Sequence, residues 1–304
     1  MQTIPDEFVA RMVALYAADG SAWLKRLPVL IADCERRWSL TIQPPFDNLS
    51  YNYVAPAVRD DGTAVVVKLG VPNPEQLTEI AALRLYDGRG IVRLLDADPT
   101  QGAMLLERLT PGTPLSRVAD DEQATMIAAQ VMRQLWRPVP PEHSFPSVVR
   151  WAAGLSRLRE HFDGGSGPFP SVLVARAEAL FAELLGSMAA PVLLHGDLHH
   201  ENILAATRQP WLALDPKGVV GEPAYEVGAL LRNPMPQLLA MPQPSRILAR
   251  RIDQLAEALG FDRARIHGWA LAQAVLSVWW SYEDGDTDLA AGIACAEYLA
   301  AINV

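Results

Sequence analysis

The sequence predicts an α+β protein in two lobes: a small one, residues 1 to 109, that combines helices with an antiparallel sheet, and a large, mainly helical one, residues 115 to 304. Three observations point there. Short runs rich in Val, Leu, Ala and Tyr, bounded by turn residues, crowd between Tyr51 and Leu106. Two prolines and a glycine in Leu109-Thr110-Pro111-Gly112-Thr113-Pro114 interrupt the chain where that pattern ends, so 110–114 reads as a linker. Beyond it, apolar residues recur at helical spacing. Half of the 304 residues are hydrophobic, enough for one large or two modest cores.

Taken in order, Pro5 to Trp38 carries apolar residues at helical spacing (Phe8, Met12, Leu15, then Leu27, Leu30, Ile31) and predicts two helices broken at Asp19-Gly20. Tyr51 to Val58 and Ala64 to Leu69, around Asp60-Asp61-Gly62-Thr63, predict a hairpin with Lys68 near its end. Asn73-Pro74-Glu75-Gln76 combines an N-cap, a first-turn proline and a capping-box glutamine, and starts a helix that runs to about Tyr86 before Gly88 and Gly90. Ile91 to Leu95 and Ala103 to Leu106 are two further strands about a turn at Asp98-Pro99. Helices follow over 115–136, 148–162, 171–188, 222–232, 245–260, 262–283 and 288–300.

Composition narrows the function. A net charge of -9 argues against a sequence-independent grip on nucleic acid. The longest nearly apolar run, Trp269 to Trp280, is too short and too polar to span a bilayer, and Met1 to Ala10 has no basic residue or apolar stretch of a leader. A cytoplasmic monomer acting on a small, cationic molecule is the expectation. Cys34 and Cys295 lie far apart and form no CxxC. Among 26 basic residues the only lysines are Lys25, Lys68 and Lys217, none followed by Ser or Thr, so no Walker phosphate loop is present. In a chain whose habitual cation is arginine, a lysine marks a place for a compact charge.

Val192-Leu193-Leu194-His195-Gly196-Asp197-Leu198-His199-His200-Glu201-Asn202-Ile203-Leu204 sets a dense polar cluster between apolar flanks. Thirteen residues after Asn202, Leu212-Ala213-Leu214 leads into Asp215-Pro216-Lys217-Gly218. Asp197, Asn202 and Asp215 therefore sit on loops beside short strands, where a rigid scaffold places a site. A carboxylate to receive a proton, two hard oxygen ligands and a cation for phosphates form a minimal set for phosphoryl transfer. A zinc-hydrolase cluster of His195, Asp197, His199 and His200 is the rival chemistry, and it leaves Asn202, Asp215 and Lys68 unused. His195 itself reads as a packed residue that orients the loop.

The order HGDLHHEN followed by LDPKG resembles the catalytic and metal loops of protein-kinase-like phosphotransferases. The wider wording, LLHGDLHHENIL with LDPKGVVGEPAYEVGALLRNP and LSVWWSYEDG, is similar to the aminoglycoside phosphotransferase superfamily, in its streptomycin 6-kinase and hydroxyurea kinase branch. That resemblance implies a two-lobed kinase-like fold, ATP and Mg2+ as cofactors, and transfer to a hydroxyl of a streptomycin-type aminoglycoside. Hydroxyurea or another small alcohol is the alternative acceptor, and a non-catalytic nucleotide-binding regulator the alternative of another class. By the same resemblance Asp197 is the catalytic base, Asn202 and Asp215 the metal ligands, and Lys68 with Glu79 the phosphate cation and its partner. Glu75 is a second possible partner of Lys68. Glu107 and Leu109 belong to the hinge beside the nucleotide. Ser50, in the glycine-free loop 46–52, covers its phosphates, and Glu222, Tyr225, Glu226 and Asp284 meet the acceptor.

Overall fold

Described over residues 4–304, the computed structural model divides into two units, Met1–Gly112 and Thr113–Val304. Positions 1–3 of the amino-terminal stretch discussed above lie outside the described residues.

In the first unit, α1 (Asp6–Trp38) bends at Ala17, whose backbone leaves the helical region, so the expected break falls two residues earlier than Asp19-Gly20. Next come β1 (Leu40–Ile42), β2 (Tyr53–Arg59), β3 (Ala64–Leu69), α2 (Pro74–Tyr86), β4 (Leu94–Asp98) and β5 (Ala103–Glu107). The five strands form an antiparallel sheet in the order β1-β2-β3-β5-β4. The β2–β3 turn forms for the reason its residues suggested: the Thr63 N–H donates to Asp61 Oδ1 at 2.8 Å, and Gly62 takes a left-handed φ of 85°. Strand β1, too short for a periodic signal, makes the 43–52 segment a loop between two paired strands. A core of Phe8, Leu27, Leu30, Val65, Val67 and Leu105 fixes α1 on the sheet. Asn73 caps α2 by accepting the Gln76 N–H at 2.9 Å.

Pro111–Pro114, expected as a linker, is a short strand, β6. The second unit contains α3 (Asp121–Leu135), α4 (Val148–Ala152), α5 (Gly154–His161), α6 (Ser171–Gly186), β7 (Val192–Leu194), β8 (Ile203–Ala206), β9 (Trp211–Ala213) and β10 (Val219–Gly221). It closes with α7 (Val227–Leu231), α8 (Gln237–Ala240), α9 (Pro244–Leu259), α10 (Arg263–Glu283) and α11 (Ala290–Ala300). The single helix expected over 148–162 is broken at Ala153-Gly154, and 222–232 is a 3-10 turn, Pro223–Glu226, followed by α7. Helix α10 is buried along most of its length, from Ile266 to Trp279, which is why that stretch is mostly apolar, with His267 and Gln273 as buried polar exceptions. Arg251, fully buried on α9, ties that helix to α3 through both carboxylate oxygens of Asp121.

Candidate functional site

Four short strands assemble the polar cluster. In the β8–β9 hairpin Ile203 faces Ala213 and Leu204 faces Leu212, so the antiparallel register returns the chain to its starting point. The Leu214 N–H donates to the Asn202 carbonyl at 3.0 Å, and Asn202 and Asp215 consequently flank the hairpin base despite their separation in sequence. Strands β7 and β10 pair antiparallel, Leu194 with Val219, which draws the end of β7 onto the segment before β10. Lys217 and Gly218 N–H groups both donate to the His195 carbonyl, at 2.8 and 3.2 Å. The 195–202 and 214–218 loops are thus stitched together by backbone.

Between His195 and Asp197 the chain turns through Gly196 at φ 86°, where a Cβ would stand 2.8 Å from Trp151 and 2.9 Å from Val219. Only glycine fits there. Fully buried, His195 accepts the Asp197 N–H at Nδ1 (3.2 Å) and donates from Nε2 to the Leu214 carbonyl at 2.7 Å. Burial lowers its pKa to about 4, so the ring is neutral and both nitrogens serve the loop's shape. No ring nitrogen of His195 is left for zinc, and among the described residues no three His, Cys, Asp or Glu side chains gather as a metal-binding group.

The Asp197 carboxylate is partly exposed, at 27%, and accepts Arg232 Nη2 on Oδ1 at 3.2 Å, while Oδ2 lies 3.7 Å from His199 Nε2. Burial pushes its pKa up most strongly, but His199, Arg232, Lys217 and His195 together outweigh it and hold the carboxyl below its ordinary value. Burial lowers the pKa of His199 as well, against the opposing pull of Asp197, and Arg232 and Lys217 are the permanent charges in that set. Asn202 Nδ2 donates to the Asp197 carbonyl at 2.9 Å, which leaves the amide oxygen as the acceptor end of that side chain. Asp215 takes a left-handed φ of 62°, a conformation aspartate tolerates better than most residues. Two hard oxygen donors at one hairpin base are a donor set that suits Mg2+.

In the first unit Lys68 and Glu79 come together as a buried pair, Nζ to Oε1 and Oε2 at 2.7 and 2.8 Å. Of the two carboxylates weighed, Glu79 makes that contact, because α2 turns it inward while Glu75 stays exposed in the first turn. Ser50 is exposed in the 43–52 loop. Glu107 Oε2 accepts the Arg93 N–H at 3.1 Å, and Leu109 is buried.

Three of the residues expected to meet the acceptor do something else. Glu226, 1% exposed, accepts the N–H groups of His195 and Gly196 at 2.7 and 2.9 Å, fixing the loop that carries Asp197. Burial pushes its pKa up to about 7, against the pull of those two amides. Glu222 is buried against Arg265, with Ala189 N–H at 3.2 Å, and Tyr225 is fully buried beside Trp151 and Trp269. Their charges and hydroxyl face protein. The fourth, Asp284, is exposed at the end of α10, where its N–H donates to the Trp280 carbonyl at 2.9 Å.

What the sequence did not single out is Arg232 and the cavity it borders. A space of about 280 Å³ in the second unit is lined by Arg232, Asn233, Ser277, Ser281, Asp286 and Asp288, among others. The acidic gathering at 283–288 was visible in the sequence, but that Asp286 and Asp288 line one cavity with Arg232, some fifty positions away, is tertiary. The one local signal was a cation directly after the apolar run Val-Gly-Ala-Leu-Leu.

Residues 37–285 match the family model described as "Aminoglycoside/hydroxyurea antibiotic resistance kinase". The chain is 35% identical over 299 residues to a streptomycin 6-kinase of Streptomyces griseus, covering 98% of this chain and 97% of that protein. It is 34% identical over 298 residues to a hydroxyurea phosphotransferase of Kitasatospora aureofaciens, covering 94% and 82% respectively. Among solved structures, the aminoglycoside phosphotransferase APH(4)-Ia, in a ternary complex with ADP and hygromycin B, superposes with a TM-score of 0.63 at 17% identity, over 89% of this chain and 97% of that one. At such identity the likeness is one of fold, and it makes the fold kinase-like.

Proposed function

Because the chain belongs to the aminoglycoside/hydroxyurea antibiotic resistance kinase family, and is a phosphotransferase that acts on a hydroxyl group, we propose that it phosphorylates a streptomycin-type aminoglycoside from ATP. The observation that carries the chemistry is the hairpin base at which Asp197, Asn202 and Asp215 converge. Asp197 Oδ2 takes the proton of the acceptor hydroxyl as that oxygen bonds to the γ-phosphorus and the bond from phosphorus to the ADP oxygen breaks. Lys68, held by Glu79, is the compact cation for the phosphates, with Ser50, Glu107 and Leu109 as further nucleotide contacts. Asn202 and Asp215 would hold Mg2+, which when bound neutralises phosphate charge. Glu226 and His195 keep the loop backbone in place while the carboxylate works.

The acceptor occupies the 280 Å³ cavity of the second unit, with Asp286 and Asp288 meeting its cationic groups. Hydroxyurea is the second reading, favoured by the hydroxyurea phosphotransferase relative. An ADP-release assay with streptomycin and with hydroxyurea, the product identified by phosphorus NMR, decides between them. Asp197→Ala should lower turnover about 10²- to 10⁴-fold while ATP still binds. Unchanged turnover on the true acceptor would remove Asp197 from the mechanism.

A further inference from the structure

Arg232 stands where two features of the second unit meet. Its Nη2 donates to Asp197 Oδ1 at 3.2 Å, and its side chain forms part of the cavity wall. From behind, its Nη1 donates to Gln273 Oε1 at 2.7 Å. Gln273 is buried on α10 and packs against the backbone of α7 at Gly228. There a Cβ would fall 1.8 Å from Gln273 Oε1, so the absence of a side chain at Gly228 is what admits the amide. A planar guanidinium can grip two oxygens at once, and an ammonium cannot do so in the same fixed geometry.

We infer that Arg232 is a positioning residue for phosphoryl transfer: anchored by Gln273, it holds Oδ1 of Asp197 so that Oδ2 is presented to the acceptor hydroxyl. The inference rests on Asp197 being the base in the function proposed above. It assigns the loop a cation that its own wording lacks, since HGDLHHEN contains no Lys or Arg. It also gives Gly228 and Gln273 a role in turnover although neither touches substrate.

The test uses the full chain and whichever of streptomycin and hydroxyurea the wild type phosphorylates. If neither turns over, the proposed acceptor is wrong, and hydrolysis of ATP, with water as the acceptor whose proton Asp197 would take, is the turnover to be measured. Arg232→Ala should lower kcat about 10²-fold with little change in the KM of ATP or acceptor, as expected for a misplaced catalytic group. Added guanidinium should restore part of the loss, and Arg232→Lys should fall between the two. Gln273→Met, nearly the same size but without the acceptor oxygen, should lower kcat about tenfold, the lower end for a bond to a charged group. An unchanged kcat with a raised acceptor KM in Arg232→Ala would make Arg232 a wall of the cavity and overturn the inference. Should that variant fail to fold, wild-type kcat in Gln273→Met would overturn it equally.

Discussion

Two acidic stretches of the second unit look alike in sequence and are used in opposite ways. Glu222 and Glu226 flank Pro223-Ala224-Tyr225, and Asp284, Asp286 and Asp288 alternate with Gly285 and Thr287. The first stretch opens a turn that leads into a wholly buried helix, and its carboxylates are enclosed by Arg265 and by backbone amides of the catalytic loop. The second joins α10 to α11 and is exposed, and two of its carboxylates bond locally: Asp286 Oδ1 accepts the Asp288 N–H at 2.9 Å and Asp288 Oδ1 the Ala290 N–H at 3.3 Å. A carboxylate's role therefore follows from what encloses it, since a buried charge persists only when paired or hydrogen-bonded. The inner pair shapes the site, and Asp286 and Asp288 of the outer group line a cavity.

The largest effect expected from breaking this contrast is at Glu222. Glu222→Ala leaves Arg265 without its buried partner, and losing one member of such a pair costs about 3–5 kcal/mol. Arg265 is 23% exposed, so water offsets part of that and a loss near the lower figure is expected. Thermal unfolding should show it, while the acceptor KM of the protein that remains folded stays at the wild-type value. A rise in acceptor KM without destabilisation would return Glu222 to the acceptor site.

Glu226 comes next, because it acts on the loop itself. Glu226→Leu strands two buried N–H groups at about 1–3 kcal/mol each and should lower kcat more than either KM. It also has a pH signature. The carboxyl titrates near 4.5 when unfolded and at about 7 in the fold, so over that window the native state binds the proton the unfolded chain releases. Stability contributed by this group therefore rises as pH falls from about 8 to about 5, and Glu226→Gln, which has nothing to titrate, should lose that slope in denaturant melts.

The same contrast explains what could be seen from the sequence. Local chemistry was legible: the Asp61-Gly62 turn, the Asn73 cap and the apolar runs before Asp197 and Asp215 all formed as their residues dictated. The approach of Asn202 to Asp215 was accessible only through the family resemblance, and the hairpin register now gives its physical cause. Burial was the quantity that could not be read. Glu226 looks solvated on any scale of residue polarity, and its reason for being buried is a pair of amides thirty positions earlier in the chain. Breaks such as Ala153-Gly154 escaped because helical periodicity continues across them, and the close approach there is tertiary: a Cβ at Gly154 would meet Leu276 at 2.6 Å.

The smallest and most discriminating effect is expected at the outer carboxylates. Asp286→Asn and Asp288→Asn remove charge from an exposed turn while keeping an oxygen to accept the local N–H groups, so stability should change by no more than about 0.5 kcal/mol. If these groups meet a cationic acceptor, each variant should raise the KM of streptomycin several-fold, since a charge-assisted bond in a partly open cleft contributes about 1.5 kcal/mol. Exposed charges are screened by salt, so the difference between variant and wild type should shrink as ionic strength rises through the range where the screening length falls below about 10 Å. Hydroxyurea, which is neutral, should be nearly indifferent to both changes, and the KM of ATP should not move. Equal sensitivity of the two acceptors would mean that the turn acts through the shape of the cavity rather than its charge, and the inner and outer carboxylates would then differ only in where they do structural work.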